Sequence, residues 1–131
     1  MRLFVADTPG GDWSELTHGD QRTVRVAAPD LQQARRARAR ILARGKDVAV
    51  ILDVTVAVAA DFRSARSILD HSESVYYAGT VDGLAGLVSD IWRAGVADGV
   101  TLIPVSPRQD LRDIGRDVLR RLTSRDQVRA S

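Results

Sequence analysis

One long apolar segment constrains the fold of this chain more than any other feature. The segment VAVILDVTVAVA, residues Val48–Ala59, is interrupted by a single charged residue, Asp53. A strand with one solvated face alternates apolar and polar residues, whereas a strand covered on both faces is apolar almost throughout. The segment therefore predicts a central strand of a parallel sheet.

Three further strands are predicted at short apolar runs that end in Asp or Pro. They lie at Arg2–Asp7, Thr23–Pro29 and Gly99–Pro104. Helical patterns, with apolar residues three and four positions apart, stand between and after them. The predicted helices occupy 30–44, 61–74, 80–94 and 111–122, and one helical turn occupies the segment WSELTHG.

Alternating strands and helices indicate an α/β fold with right-handed crossovers. Four parallel strands are half the number in a (β/α)8 TIM barrel, so the sheet stays open or is completed by a second chain. Of the 131 residues, 1–122 are predicted to form a single α/β half-barrel domain. Residues 123–131 are predicted to be a flexible C-terminal tail.

The composition disfavours several classes of protein. There are 19 Lys and Arg against 17 Asp and Glu, which gives no field strong enough to attract nucleic acid. Five arginines crowd the helix predicted at 30–44, but they have no aromatic neighbours, which favours a solvated face. The chain has no cysteine, no long apolar span and no signal-peptide pattern, so we expect a cytoplasmic protein without membrane contact.

A glycine-rich segment, TPGGDWS, follows the first predicted strand and is a candidate phosphate site. Exposed backbone N–H groups at such a position bind anions, and glycines allow close approach. The alternative is an ordinary turn between a strand and a helix. The candidate ligand-binding residues here are Thr8, Gly10, Gly11 and Ser14.

Gly79 and Thr80 form a second candidate, at the start of the helix predicted over 80–94. Ligands of parallel α/β sheets gather where such helices begin. The alternative is that Thr80 is only the N-cap of its helix.

Asp53 needs a partner or a raised pKa if it is buried, and it is solvent-exposed if its strand bulges there. The sequence identifies no catalytic set and no metal ligands.

The C-terminal third of the chain resembles a known family. The segment YAGTVDGLAGLVSDIWRAGVADGVTLIP, followed by DLRDIGRDVLRRL, is similar to the end of the bacterial luciferase-like monooxygenases. Upstream, RLFVADTPGG, VRVAAPDLQQARRARARI and DVAVILDVTVAVAADFRSAR resemble the regions of the family's fifth, sixth and seventh strands. The matching residues are Gly79, Thr80, Ala94, Gly95, Asp98, Gly99, Pro104, Leu111 and Leu122.

This resemblance implies the second half of a TIM barrel and a flavin-dependent oxidoreductase that uses FMN. In that chemistry reduced FMN reacts with O2 and the resulting hydroperoxide attacks the substrate. The segments that match lack the family's first four strands, so a homodimer or another partner chain is expected to complete the barrel, and a flavin reductase is an expected partner. The alternative is a non-catalytic module that binds flavin or phosphate, or that serves in assembly.

Overall fold

The computed structural model describes residues 1–6, 12–45, 47–58, 75–104 and 111–130, with the backbone alone for 125–130. The helix predicted at 61–74 lies outside these residues. The described strands are β1 (Arg2–Ala6), β2 (Trp13–Glu15), β3 (Arg22–Val26), β4 (Val48–Val58), β5 (Tyr76–Gly79) and β6 (Gly99–Pro104). The described helices are α1 (Leu31–Arg44), α2 (Val81–Arg93) and α3 (Leu111–Ala130).

The sheet is mostly parallel, which confirms the α/β class. Its strand order is β2-β1-β6-β4-β3, and only β2 runs antiparallel to its neighbour. Strand β5 pairs with the last residues of β4, on the edge that β3 occupies at the first residues of β4. The long apolar segment therefore forms the central strand, paired along both edges, as its composition predicted.

Two local features differ from the sequence-based prediction. The segment predicted as a helical turn forms strand β2 instead, because Trp13 and Glu15 pair with β1 and because Glu15 binds Arg2. Helix α3 continues to Ala130, beyond Leu122, where the sequence indicated the end of the domain. The domain boundary itself stays a prediction.

The strand order also differs from that of four consecutive barrel strands. Such a half barrel would place β1 beside β3, since each strand would neighbour the next along the chain. Instead β6 lies between β1 and β4 and pairs with both. This order arises when β3, β4 and β6 follow one another across the sheet and β1 is added beyond the last of them.

All three described helices share one core with one face of the sheet. Leu52, Val54 and Val56 of β4 belong to the same buried cluster as Ala34 of α1, and residues of α2 and α3 join it. The helical members follow the predicted spacing, because an amphipathic helix buries residues three and four positions apart. In α2 and α3 they are Leu84, Ala85, Val88, Ile91, Leu111, Val118 and Leu122.

The opposite face of the sheet is concave. Trp13 on β2 and Arg25 on β3 stand at the two ends of the strand order, yet the Arg25 guanidinium carbon lies 5.2 Å from the Trp13 ring centroid. In a flat sheet, four strand spacings would hold their backbones roughly 19 Å apart, too far for the two side chains to touch. The sheet therefore curls enough to bring side chains of its two outermost strands together, and this buries Phe4 and Ile51.

Asp98 joins the amino ends of the strands to helix α1. One oxygen of its carboxylate, Oδ2, accepts a hydrogen bond from the Val50 backbone N–H at 2.8 Å, and Oδ1 accepts one from Arg38 at 3.0 Å. Its backbone N–H donates to the Val50 carbonyl, and its carbonyl accepts from the Arg2 backbone N–H. Asp98 thus links β1, β4 and α1 at the amino ends of the strands.

Asp98→Ala is expected to lower the free energy of unfolding by about 2 kcal/mol, because the Val50 N–H loses its side-chain acceptor and Arg38 loses its ion-pair partner. Urea denaturation measures the loss. The matched control is Asp90→Ala, which removes an exposed carboxylate from α2 and should change stability by less than about 0.5 kcal/mol. Equal effects of the two substitutions would contradict the assigned role of Asp98.

Candidate functional site

A row of stacked aromatic and charged side chains crosses the concave face. Phe4 and Trp13 stack with ring centroids 4.1 Å apart and planes inclined by 20°. Arg25 lies over Trp13, and Arg2 lies over Phe4 at 5.3 Å. Each arginine also forms an ion pair with an acidic residue at its end of the row, Arg25 with Asp53 and Arg2 with Glu15. We call this set, Asp53, Arg25, Trp13, Phe4, Arg2 and Glu15, the concave stack.

The strand register places one further polar side chain, Thr101, beside the concave stack. Thr101 on β6 is aligned with Phe4 on β1 and with Asp53 on β4, so all three side chains point to the concave face. Thr101 is fully buried, and within the described part of the chain its hydroxyl has no hydrogen-bond partner. A buried hydroxyl without a partner is costly, so this position is unusual for a purely structural residue.

Asp53 is buried and paired, so the alternative in which its strand bulges and exposes it is wrong. It is 7% exposed, and its Oδ1 accepts a hydrogen bond of 2.7 Å from Arg25 Nε. Burial raises the pKa of the Asp53 carboxyl, and the hydrogen bond and charge of Arg25 oppose that rise. The dry surroundings thus disfavour the charged form despite the ion pair.

Glu15, at the other end of the concave stack, has a lowered pKa, whereas the pKa of Asp53 is raised. Arg2 donates to it through Nε at 2.8 Å and through Nη2 at 2.6 Å, a two-pronged ion pair. Hydrogen bonds from Arg2, and then from Thr17 and the Gly19 backbone, lower the pKa of Glu15 from 4.5 to about 2 against the effect of burial. Glu15 is therefore a firmly ionised anchor between β1 and β2.

Thr80 is the N-cap of α2. Its Oγ1 accepts a hydrogen bond from the Gly83 N–H at 3.1 Å, as the alternative interpretation of this residue states. The Tyr77 hydroxyl donates to the Thr80 carbonyl at 2.8 Å, and it lies so near Gly79 that a Cβ there would be 2.6 Å away. A phosphate at this end would compete with Thr80 Oγ1 for the Gly83 N–H and would be repelled by the charge of Asp82.

The other sequence-predicted ligand residues are only partly described. Ser14 lies in β2 and is exposed, and its register partner Val5 faces the helical core, so Ser14 does not point into the concave face. Thr8, Gly10 and Gly11 lie outside the described residues. Strands β2 and β5 are not neighbours in the sheet, so no strand pairing brings Ser14 together with Gly79 or Thr80.

Sequence reasoning missed most of the concave stack. Phe4, Arg25 and Thr101 occupy alternate positions in short strands, and nothing in their spacing shows that they face one another. The signal available was the single charge in the apolar β4 segment, Asp53, which, if buried, needed a partner or a raised pKa. Helix α1 has a solvated face, as expected, with four exposed arginines: Arg35, Arg36, Arg40 and Arg44.

Comparisons of the sequence with protein-family models and with curated proteins find no match. In the described part of the chain, no helix combines the length and apolar character needed to cross a membrane. Among the same residues, no three acidic or histidine side chains are grouped to hold a metal ion.

Glu15→Gln is expected to reduce the sensitivity of the fold to acid. Because the folded-state pKa of Glu15 lies below its ordinary value, the ion pair stabilises the fold fully above pH 4.5 and loses this effect as the pH falls towards about 2. Urea unfolding at several pH values should therefore show a smaller loss across this window in the variant than in the wild type. Asp47→Asn, at an exposed position, is the control. Parallel pH profiles for Glu15→Gln and the wild type would contradict the prediction.

Proposed function

We propose that the chain is a relative of the luciferase-like, flavin-dependent oxidoreductases and binds FMN at the carboxyl ends of its parallel strands. The observation that carries this proposal is the parallel pairing of β1 with β6. In a closed (β/α)8 barrel the first and the last strand are neighbours. A chain that combines a first strand with three final strands would have the order observed here.

On this proposal β1 corresponds to the first strand of the barrel, rather than to the fifth strand that the sequence resemblance suggested. Strands β3, β4 and β6 then correspond to the sixth, seventh and eighth strands. The curled sheet supports this correspondence, because strands taken from a barrel retain a concave inner face. The inner face here would be the one that carries the concave stack.

The phosphate of FMN would bind after β1, where Thr8, Gly10 and Gly11 follow the strand. Glycines at such a turn let backbone N–H groups approach an anion closely. Thr80 fits this role less well, since its hydroxyl already caps α2 and the Tyr77 hydroxyl covers the adjacent backbone. Gly79 and Thr80 would instead shape the rim of the site.

When bound, FMN would supply the oxygen chemistry, and the chain would hold the phosphate, orient the ring and exclude water. A flavin reductase would supply reduced FMN, and both proteins would act in the cytoplasm. The apolar residues around the concave stack favour water exclusion, since Ile51 and Ile103 are almost fully buried beside it.

A second candidate function is a non-catalytic module that binds flavin or phosphate, or that serves in assembly. The sheet order ends at β2 on one side and at β3 on the other. Edge strands pair with further strands unless something covers them. We propose a second copy of the chain as the partner, which would form a homodimer and enlarge the barrel.

FMN titration of the purified protein tests both functions. The chain has two tryptophans, so Trp92→Phe leaves Trp13 as the reporter next to the proposed site. We expect saturable quenching of Trp13 by oxidised and reduced FMN, together with a dimeric mass in light scattering. A dimer that binds no FMN in either redox state would favour the assembly function. A monomer that binds no FMN would contradict both.

A further inference from the structure

Trp13 lies between two side chains that together form a binding position for a flat aromatic ring. Phe4 stacks on one face of the indole with a centroid distance of 4.1 Å. A ring at that distance leaves no room for a guanidinium on the same face, so Arg25 covers the other face. Stacking on an aromatic ring and on a guanidinium are the two contacts that proteins commonly offer planar ligands.

Polar groups lie next to this sandwich on the floor of the concave face. Asp53 adjoins it through its bond to Arg25, and Thr101 adjoins it through its alignment with Phe4 and Asp53. The Thr101 hydroxyl is fully buried and has no partner within the described residues. Neither Phe4 nor Trp13 bonds to this hydroxyl, whereas a heterocycle with carbonyl and N–H groups on its edge can.

We infer that the space between Phe4 and Arg25 is the ring-binding position of a planar heterocyclic ligand, and that Trp13 occupies it when no ligand is bound. The ligand ring would replace the indole in the sandwich, and its polar edge would bond to Thr101 and Asp53. This inference rests on the proposed function, which makes the ligand the isoalloxazine ring of FMN.

The position of Trp13 allows such an exchange. Strand β2 has three residues and pairs only with β1 at one end of the sheet order. Separation at the Trp13 end alone, where Trp13 pairs with Ala6, would leave the Glu15–Arg2 ion pair and the central strands intact. The cost of removing the indole would weaken ligand binding, because only the fraction of molecules with an open sandwich can bind.

Fluorine NMR of the full chain labelled with 5-fluorotryptophan tests the exchange directly. Lumiflavin, the flavin ring without ribityl chain or phosphate, is the probe, and Trp92→Phe assigns the two signals. We expect lumiflavin and FMN to move the Trp13 signal to the position of a solvent-exposed indole. The Trp92 signal, from a side chain that is already 47% exposed, should not move.

Substitution of Trp13 gives an independent test by lumiflavin titration. Trp13→Ala removes the competing ring and should tighten lumiflavin binding by about tenfold or more, whereas the control Trp92→Ala should leave it unchanged. Thr101→Val should raise thermal stability, because it removes a buried hydroxyl without a partner, and should weaken lumiflavin binding about fivefold. If Trp13→Ala does not fold, the fluorine measurement on the unsubstituted chain still decides.

The outcomes separate this inference from the proposed function. FMN binding without movement of the Trp13 signal would overturn the inference and leave the function standing. Lumiflavin binding to Trp13→Ala, with no FMN binding to the wild type, would support the ring position and count against the function. Binding of neither ligand to either protein would overturn both.

Discussion

The curl of the sheet is the constraint on which the rest of the concave face depends. It brings Arg25 and Trp13, from the two outermost strands of the strand order, within 5.2 Å of each other. The curl buries Phe4, Ile51 and Thr101, although the described helices all pack on the opposite face. Arg25 can bridge this distance because its guanidinium binds Asp53 and stacks on an indole at the same time.

The two ends of the sheet have different physical roles. At the amino ends, Asp98 binds Val50, Arg38 and Arg2 and holds β1, β4 and α1 in one register. Parallel α/β proteins bind their ligands at the opposite, carboxyl ends of the strands. Asp98 and Thr101 are close in the sequence, but Asp98 binds the backbone and α1 whereas Thr101 lies on the concave face, so substitutions at the two residues test different properties of the molecule.

The strand order and the resemblance to the luciferase-like family bear on each other. The resemblance covers β3, β4, β6 and the helices after them, and it likened β1 to the family's fifth strand, which would lie beside β3 rather than beside β6. The pairing of β1 with β6 is what a barrel would have between its first and last strands, and the proposed function depends on it. Trp13, which neither the resemblance nor a motif marked as a ligand residue, becomes the central residue of the proposed ring site.

The sequence by itself determined the α/β class, the central strand and the helices α1 and α2, because local periodicity and capping residues such as Asp30 and Thr80 carry that information. It also marked Asp53 as a charge that needed a partner or a raised pKa if it was buried, and left open that a bulge exposed it. Only the tertiary structure decided that the partner is Arg25, that WSELTHG begins as a strand, and that β1 lies beside β6. These features depend on pairing between residues far apart in the chain. Strands of three to five residues are too short for a periodic pattern that would specify their neighbours or the curl of the sheet.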